Sequence, residues 1–114
     1  LIRRRKMTDR ELLELAANAA GHVTRSDNLN VWIVETDGSP IARWNPLADD
    51  AQALRLAVKL DMQIWRSTAG GVAGVSPSSD FWNRLNEPLG PDPYAATRRA
   101  IVRAAAEIGK TRSD

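Results

Sequence analysis

The sequence predicts an α+β fold in which three amphipathic helices pack on a mainly antiparallel sheet of three or four strands. Three segments repeat apolar residues at three- and four-residue spacing behind a capping residue, which is typical of such helices. The intervening segments are rich in β-branched and aromatic residues and are bounded by turn residues, which indicates strands. At 114 residues the chain has the length of one domain. Helices on both faces of the sheet would make it an α/β/α sandwich.

The first helix is predicted over residues 8–20. Thr8 and Glu11 form the capping-box pattern T-x-x-E, in which each side chain accepts a bond from the other residue's backbone N–H. Gly21 stands where a helix commonly ends in the left-handed conformation. The apolar stripe between these signals comprises Leu12, Leu15, Ala16, Ala19 and Ala20.

A β-hairpin is predicted next, after a polar turn over residues 25–28. Its strands lie at 29–36 and 41–44, and the tight-turn dipeptide Asp37-Gly38 joins them. The first of these strands carries the alternating apolar and aromatic run that a half-buried strand requires.

The second helix is predicted over residues 49–59, where Asp49 and Gln52 repeat the capping-box spacing. The adjacent carboxylates of Asp49 and Asp50 favour helix capping over a metal site. A helix start offers them free N–H groups, whereas a calcium or magnesium site needs more oxygen ligands than this pair supplies.

Two further strands are predicted at 61–66 and 72–76. Three glycines near them do not match a phosphate-binding loop, because no lysine follows and no helix opens there. They are interpreted as turn residues: Gly70, Gly71 and Gly74. Residues 76–91 are rich in proline and glycine and predict a loop with one helical turn around 80–85, anchored by Trp82.

The last helix is predicted over residues 92–109, with Asp92 as its cap and Gly109 at its end. A flexible tail follows at 111–114. Because a glutamate interrupts the basic residues of the polar face, solvation of the helix is the preferred role, ahead of a phosphate or protein contact. That face carries Arg99, Arg103, Glu107 and Lys110, with Arg98 at its margin.

The positive charge of the chain is concentrated at its N-terminus, at Arg3, Arg4, Arg5 and Lys6. The net charge is +2, but without these four residues 12 basic side chains stand against 14 acidic ones. Residues 1–7 are therefore either a basic arm, which would be the nucleic-acid-binding element, or a leader foreign to the domain at 8–110.

The chain lacks the residues that several kinds of catalytic and metal-binding site require. The chain has no cysteine, which excludes disulfides, thiolate zinc sites and a cysteine nucleophile. His22 is the only histidine and cannot form a multi-histidine metal site. No catalytic residue, metal ligand or cofactor is predicted. No apolar run reaches the roughly 18 residues that cross a bilayer, so we expect a cytoplasmic protein without a membrane partner.

Four tryptophans are many for a chain of this length. Strand alternation places Trp32 opposite to Ile33 and Trp65 opposite to Ile64, so helices on one sheet face would leave both tryptophans on the other. Trp32 and Trp65, side by side, are therefore the candidate protein-binding residues; the alternative is burial by the chain's own helices. Trp44, which precedes the second helix, is predicted to be buried against it.

The stretches WNPLADDAQALRLAVKL and DPYAATRRAIVRAAAEIGK, together with residues 11–21, resemble small phage and prophage proteins of the phage "ABA sandwich" class. The resemblance covers a little under half of the chain. It implies an N-terminal helix, a tryptophan-rich sheet and a C-terminal helix, and expression in an infected or lysogenic bacterium. It implies no catalytic residue.

Three classes of function follow from the sequence. The first is a non-enzymatic phage accessory protein that binds a host or phage protein, either as a monomer or as a homo-oligomer. The second is a nucleic-acid-binding protein that uses Arg3, Arg4, Arg5 and Lys6. An enzyme is the least favoured class, because no nucleophile and base can be paired.

Overall fold

The computed structural model describes residues 7–67, 70–77 and 85–113. The helices are α1 (Asp9–Ala19), α2 (Asp50–Lys59) and α3 (Pro93–Ser113). Sheet A contains β1 (Val23–Ser26), β2 (Val31–Val34) and β3 (Pro40–Arg43), and sheet B contains β4 (Met62–Ser67), β5 (Val72–Pro77) and β6 (Leu85–Pro88). All strand pairs in both sheets are antiparallel. None of the helices within the described ranges is long and apolar enough to cross a membrane.

The predicted α+β class is confirmed, but its strands divide between two sheets where the sequence predicts one. Helix α1 packs on sheet A, α3 packs on sheet B, and the two helices pack against each other. The result is a sandwich-like arrangement with α1 and α3 between the sheets, while α2 packs on α3 and beside β4. Helices α1 and α3 can pack on two sides because most of their buried residues are alanines, whose small side chains leave room for a second layer.

Gly109 allows the two inner helices to approach closely. The helices run parallel, since Arg99 bonds Asp9 near their starts and the Asn18 amide donates to the Gly109 carbonyl at 3.0 Å further along. A Cβ atom at Gly109 would lie 1.9 Å from the carbonyl oxygen of Leu15. Glycine is therefore needed here for helix contact.

The predicted end of the last helix at residue 109 is wrong, because Gly109 serves the contact between the two helices and does not end α3. Helix α3 continues through Gly109 to Ser113, beyond the range 92–109 and into the segment predicted as a tail. The start is as predicted: Asp92 Oδ1 accepts bonds from the N–H groups of Tyr94 (3.0 Å) and Ala95 (3.2 Å).

The predicted cap is confirmed in full at α1 and in part at α2. Thr8 and Glu11 form both bonds of the capping box, and Gly21 follows α1 at φ +82°. Asp49 caps α2 by accepting from the Gln52 N–H at 3.1 Å. The Gln52 side chain does not complete a capping box, because it donates to the Arg43 carbonyl at 2.7 Å and so ties α2 to the end of β3.

The predicted hairpin is present as β2 and β3, with Gly38 at φ +90° in its turn. A bulge shifts the register opposite Ile33 and Val34, because β3 carries Ile41 as an extra residue between their partners Ala42 and Pro40. Both end residues of β2, Val31 and Val34, are buried. The predicted strands at 61–66 and 72–76 are confirmed as β4 and β5.

Two strands were not predicted. The sequence predicts a turn at 25–28 where β1 runs from Val23 to Ser26, and a loop at 76–91 where β6 pairs with β5. Neither strand shows apolar alternation, because β1 turns Thr24 inward and β6 turns Glu87 inward. Trp82, most of the helical turn predicted at 80–85, and Arg3, Arg4, Arg5 and Lys6 lie outside the described residues.

Candidate interaction surface

The arginines of α3 are occupied by contacts within the protein. Arg98, whose side chain is 17% exposed, donates from Nε to the Leu47 carbonyl at 2.7 Å and from Nη1 to Asp50 at 2.6 Å. Asp50 is thus an ion-pair partner, while Asp49 is the helix cap. Arg98 therefore attaches α3 to the start of α2.

The next two arginines connect α3 to other elements. Arg99 pairs with Asp9 of α1 at 3.0 Å, and Arg103 pairs with Glu87 of β6. The Glu87 side chain is 12% exposed, so Arg103 compensates a largely buried carboxylate. The polar face of α3 is therefore more than a solvated surface, because its arginines hold three neighbouring elements in place.

Sheet A has one face packed on α1. On that face the Ser26 hydroxyl donates to Glu14 at 2.5 Å, and the Trp44 indole donates to the Leu13 carbonyl at 2.8 Å. No helix or strand within the described ranges packs on the opposite face. We call this opposite face the helix-free face.

Strand alternation and register place three residues in a row across the helix-free face. Arg25 of β1 is opposite Trp32 of β2, and Trp32 is opposite Arg43 of β3. We call Arg25, Trp32 and Arg43 the arginine–tryptophan row. Adjacent strands are about 4.8 Å apart, so a cationic side chain starts on each side of the indole.

The row is open to a partner. Both arginines are exposed and Trp32 is half-buried. Among the described residues, neither arginine side chain forms an ion pair or hydrogen bond, and no other ring or guanidinium stacks on Trp32. The contrast with the paired arginines of α3 makes this row the candidate functional site.

Asp27 holds the indole of the row in place. Its Oδ2 accepts from Trp32 Nε1 at 3.0 Å, and its Oδ1 accepts from the N–H groups of Leu29 (2.9 Å) and Asn30 (2.7 Å). The two backbone N–H groups first, then the indole N–H and the charge of Arg10, lower the pKa of Asp27 below its ordinary value. Because Leu29 and Asn30 bond Asp27, strand β2 begins at Val31 instead of residue 29.

The start of α1 lies beside the row. Asp9 and Arg10 share a depression of about 210 Å³ with Leu29 and Arg43. Arg10 therefore adds a third cation near the row, whereas Asp9 already pairs with an arginine of α3. The predicted nucleic-acid-binding residues 3–6 directly precede Met7 in the sequence, three residues before Arg10.

Trp65, the other candidate residue, lies on sheet B. Register places it opposite Gly74, and a Cβ atom there would lie 2.6 Å from Trp65 Nε1. The prediction that Gly74 is a turn residue is therefore wrong, since this glycine makes space for the indole. Gly71, at φ +67°, does lie in the turn. Trp65 lies on the face opposite to α3, as predicted, but Trp32 is not beside it, because the two belong to different sheets.

Trp44 is buried, as predicted, at 4% exposure. Its ring meets His22 edge-on at 5.2 Å, and burial together with the nearby charge of Lys59 lowers the pKa of His22. His22 thus lies beside a structural tryptophan at the end of α1. Within the described ranges, no group of three or more histidine, aspartate or glutamate side chains could hold a metal ion.

Neither a known protein family, nor a curated protein, nor a solved structure matches this chain.

Proposed function

We propose that this protein is a non-catalytic binding protein and that the helix-free face of sheet A is its binding surface. One observation carries the proposal: a half-buried Trp32 stands between two exposed arginines that pair with none of the described residues, on a face that no described helix covers. Tryptophan and arginine are the residues most enriched at the energetic centres of interfaces. The resemblance to phage proteins supports a role as a phage or prophage accessory protein.

Five of the described carboxylates already bond structural partners, which also favours a binding role over catalysis. Asp49 and Asp92 cap helices, and Asp9, Asp50 and Glu87 pair with the arginines of α3. A general acid or base must be within reach of a substrate and free to exchange a proton. These five groups are bound to structural partners.

Capture of material from a bacterial lysate on the immobilised full-length protein tests the proposal. The wild type is compared with Trp32→Ala and with the matched control Trp65→Ala, after circular dichroism has shown that each variant is folded. We expect the Trp32→Ala variant to lose the captured partner and the Trp65→Ala variant to keep it. Equal capture by all three proteins would contradict a binding role for this face.

A further inference from the structure

Resting on the proposed function, we infer that the partner of the helix-free face is a single-stranded nucleic acid. One base stacks on Trp32, and backbone phosphates bind Arg25 and Arg43. Single-stranded nucleic-acid sites combine an aromatic side chain that stacks a base with a surrounding positive surface, and an open sheet is a common platform for both.

The geometry of the row suits this partner. Arg25 and Arg43 stand on strands on either side of β2, so two strand spacings, about 10 Å, separate them, with the indole between. A strand of nucleic acid that crosses the sheet along the row can therefore meet a cation, a ring and a second cation in succession. The bond from Trp32 Nε1 to Asp27 holds the indole in one orientation before binding.

The local charge is also complementary. Arg10, Arg25 and Arg43 lie at or beside the row, and Asp27 bonds its indole. Asp9 and Asp49 line depressions beside Arg43, but Asp9 pairs with Arg99 and Asp49 caps α2. Asp27 is already satisfied by three N–H donors, so its repulsion of a phosphate is reduced. Phosphate binding by arginine supplies affinity without requiring a particular base sequence.

Residues 7–114 carry a formal net charge of −2. A polyanion is therefore attracted by the local cluster of cations at the row rather than by the charge of the domain as a whole.

A single strand is favoured over a duplex and over an acidic peptide. In a duplex the base faces are stacked inside the helix, so Trp32 could not use them. An acidic peptide would be attracted by the arginines but has no base to stack on the indole. The two alternatives therefore differ from the inferred partner in whether binding depends on Trp32.

Fluorescence anisotropy with labelled oligo-dT and oligo-U tests the inference, using the full chain at 50–200 mM salt with a DNA duplex and polyglutamate as competitors. The variants are Trp32→Ala, Trp32→Phe, Arg25→Gln and Arg43→Gln. The matched controls on sheet B are Trp65→Ala and Arg66→Gln, the latter removing one exposed arginine. Unfolding curves for every variant separate loss of binding from loss of folding.

We expect Trp32→Ala to weaken oligonucleotide binding about tenfold or more and Trp32→Phe to retain most of it, since any aromatic ring can stack. Each of Arg25→Gln and Arg43→Gln should lower the slope of log affinity against log salt by about 0.7, the value for one phosphate contact on a single strand. The two control variants should bind as the wild type does.

Three results would overturn the inference. The first is no oligonucleotide binding while a lysate partner still depends on Trp32, which leaves the proposed binding function standing. The second is polyglutamate binding as tight as oligonucleotide binding that depends on Arg25 and Arg43 but not on Trp32, which identifies an acidic protein as the partner. The third is equal weakening by Arg66→Gln and Arg43→Gln, which reduces binding to unspecific charge. If neither oligonucleotides nor lysate partners depend on Trp32, the proposed function fails as well.

Discussion

Arginines occur in two contrasting regions of this protein. On α3, Arg98, Arg99 and Arg103 each pair with a carboxylate from another element. On sheet A, Arg25 and Arg43 flank a tryptophan and, among the described residues, have no such partner. The most regular basic stretch of the sequence is therefore structural, and two isolated arginines mark the open surface.

The difference shows why charge density along the chain is a poor guide to a binding site. A helix that packs between other elements needs its long cations to bond the ends of its neighbours. The carboxylates of Asp9 and Asp49 lie beside Arg43 but are already bonded to Arg99 and to the Gln52 N–H. Among the described residues, the cations of the helix-free face therefore stay available. The expected consequence is that substitutions on α3 change stability, whereas those on the row change binding.

The largest expected loss of stability is at the contact between α3 and α1. Gly109→Ala places a Cβ atom against the Leu15 carbonyl, which is backbone and cannot move aside. We expect a loss of about 3 kcal/mol or more in the free energy of unfolding, measured by urea denaturation. At an unhindered helix position the same change stabilises by about 1 kcal/mol, so a gain in stability would contradict the close helix contact.

Arg98→Gln should have the next largest effect. It removes a partly buried cation that bonds both the Leu47 carbonyl and Asp50. We expect a loss of about 1–3 kcal/mol, because hydrogen bonds to charged groups contribute on that scale. Arg99→Gln is the matched control, since its exposed pair with Asp9 should contribute less than about 1 kcal/mol. Equal effects of both changes would mean that Arg98 does not join α3 to α2.

Gly74→Ala tests whether the Trp65 indole packs on Gly74 within sheet B. The new methyl group would displace the far end of a side chain, so we expect a smaller loss of about 1–2 kcal/mol and a change in the near-ultraviolet circular dichroism of tryptophan. The same spectrum recorded for Gly74→Ala in a Trp65→Phe background should change less. An unaltered stability and spectrum would show that the indole does not lie on Gly74.

Arg25→Gln and Arg43→Gln should leave stability within about 0.5 kcal/mol of the wild type, as exposed substitutions without partners usually do. Thermal and urea unfolding measure this for each variant and for the double variant. A loss near that of Arg98→Gln would mean that the row serves folding, and the contrast between the two regions would disappear.

The smallest effect concerns the titration of Asp27. Its folded-state pKa lies below the ordinary value of 3.8, so the bonds of its carboxylate contribute stability above pH 3.8 that is lost as the pH falls through the folded-state pKa. In an NMR titration, we expect the Nε1–H signal of Trp32 to shift with a midpoint below pH 3.8. Asp27→Asn should abolish this shift, and a midpoint above 3.8 would argue against the bonds that hold Asp27 ionised.

Much of the fold could be predicted from short-range signals. The starts of all three helices, the turn at Gly38 and the strands β2 to β5 depend on residues within a few positions of one another. The capping box of Thr8 and Glu11, for example, closes over three residues. The side of the strand on which Trp32 lies likewise follows from alternation alone.

The remaining features depend on residues that are distant in sequence. Gly109 resembles a helix end until Leu15 is placed against it, and Gly74 resembles a turn until Trp65 is placed over it. The short strands β1 and β6 are stabilised by pairing rather than by an apolar pattern of their own.

Local sequence signals were enough to predict the α+β class, the starts of the helices and the arginines on α3. Tertiary packing is what places α1 and α3 between two sheets, pairs the arginines of α3 and brings Arg25 and Arg43 to either side of Trp32. The hydrogen bonds of caps and turns close within about four residues, so short stretches of sequence are enough to predict them. The partner of Arg98 is 48 residues away and that of Arg99 is 90 residues away, and such pairs form only when packing brings the elements together.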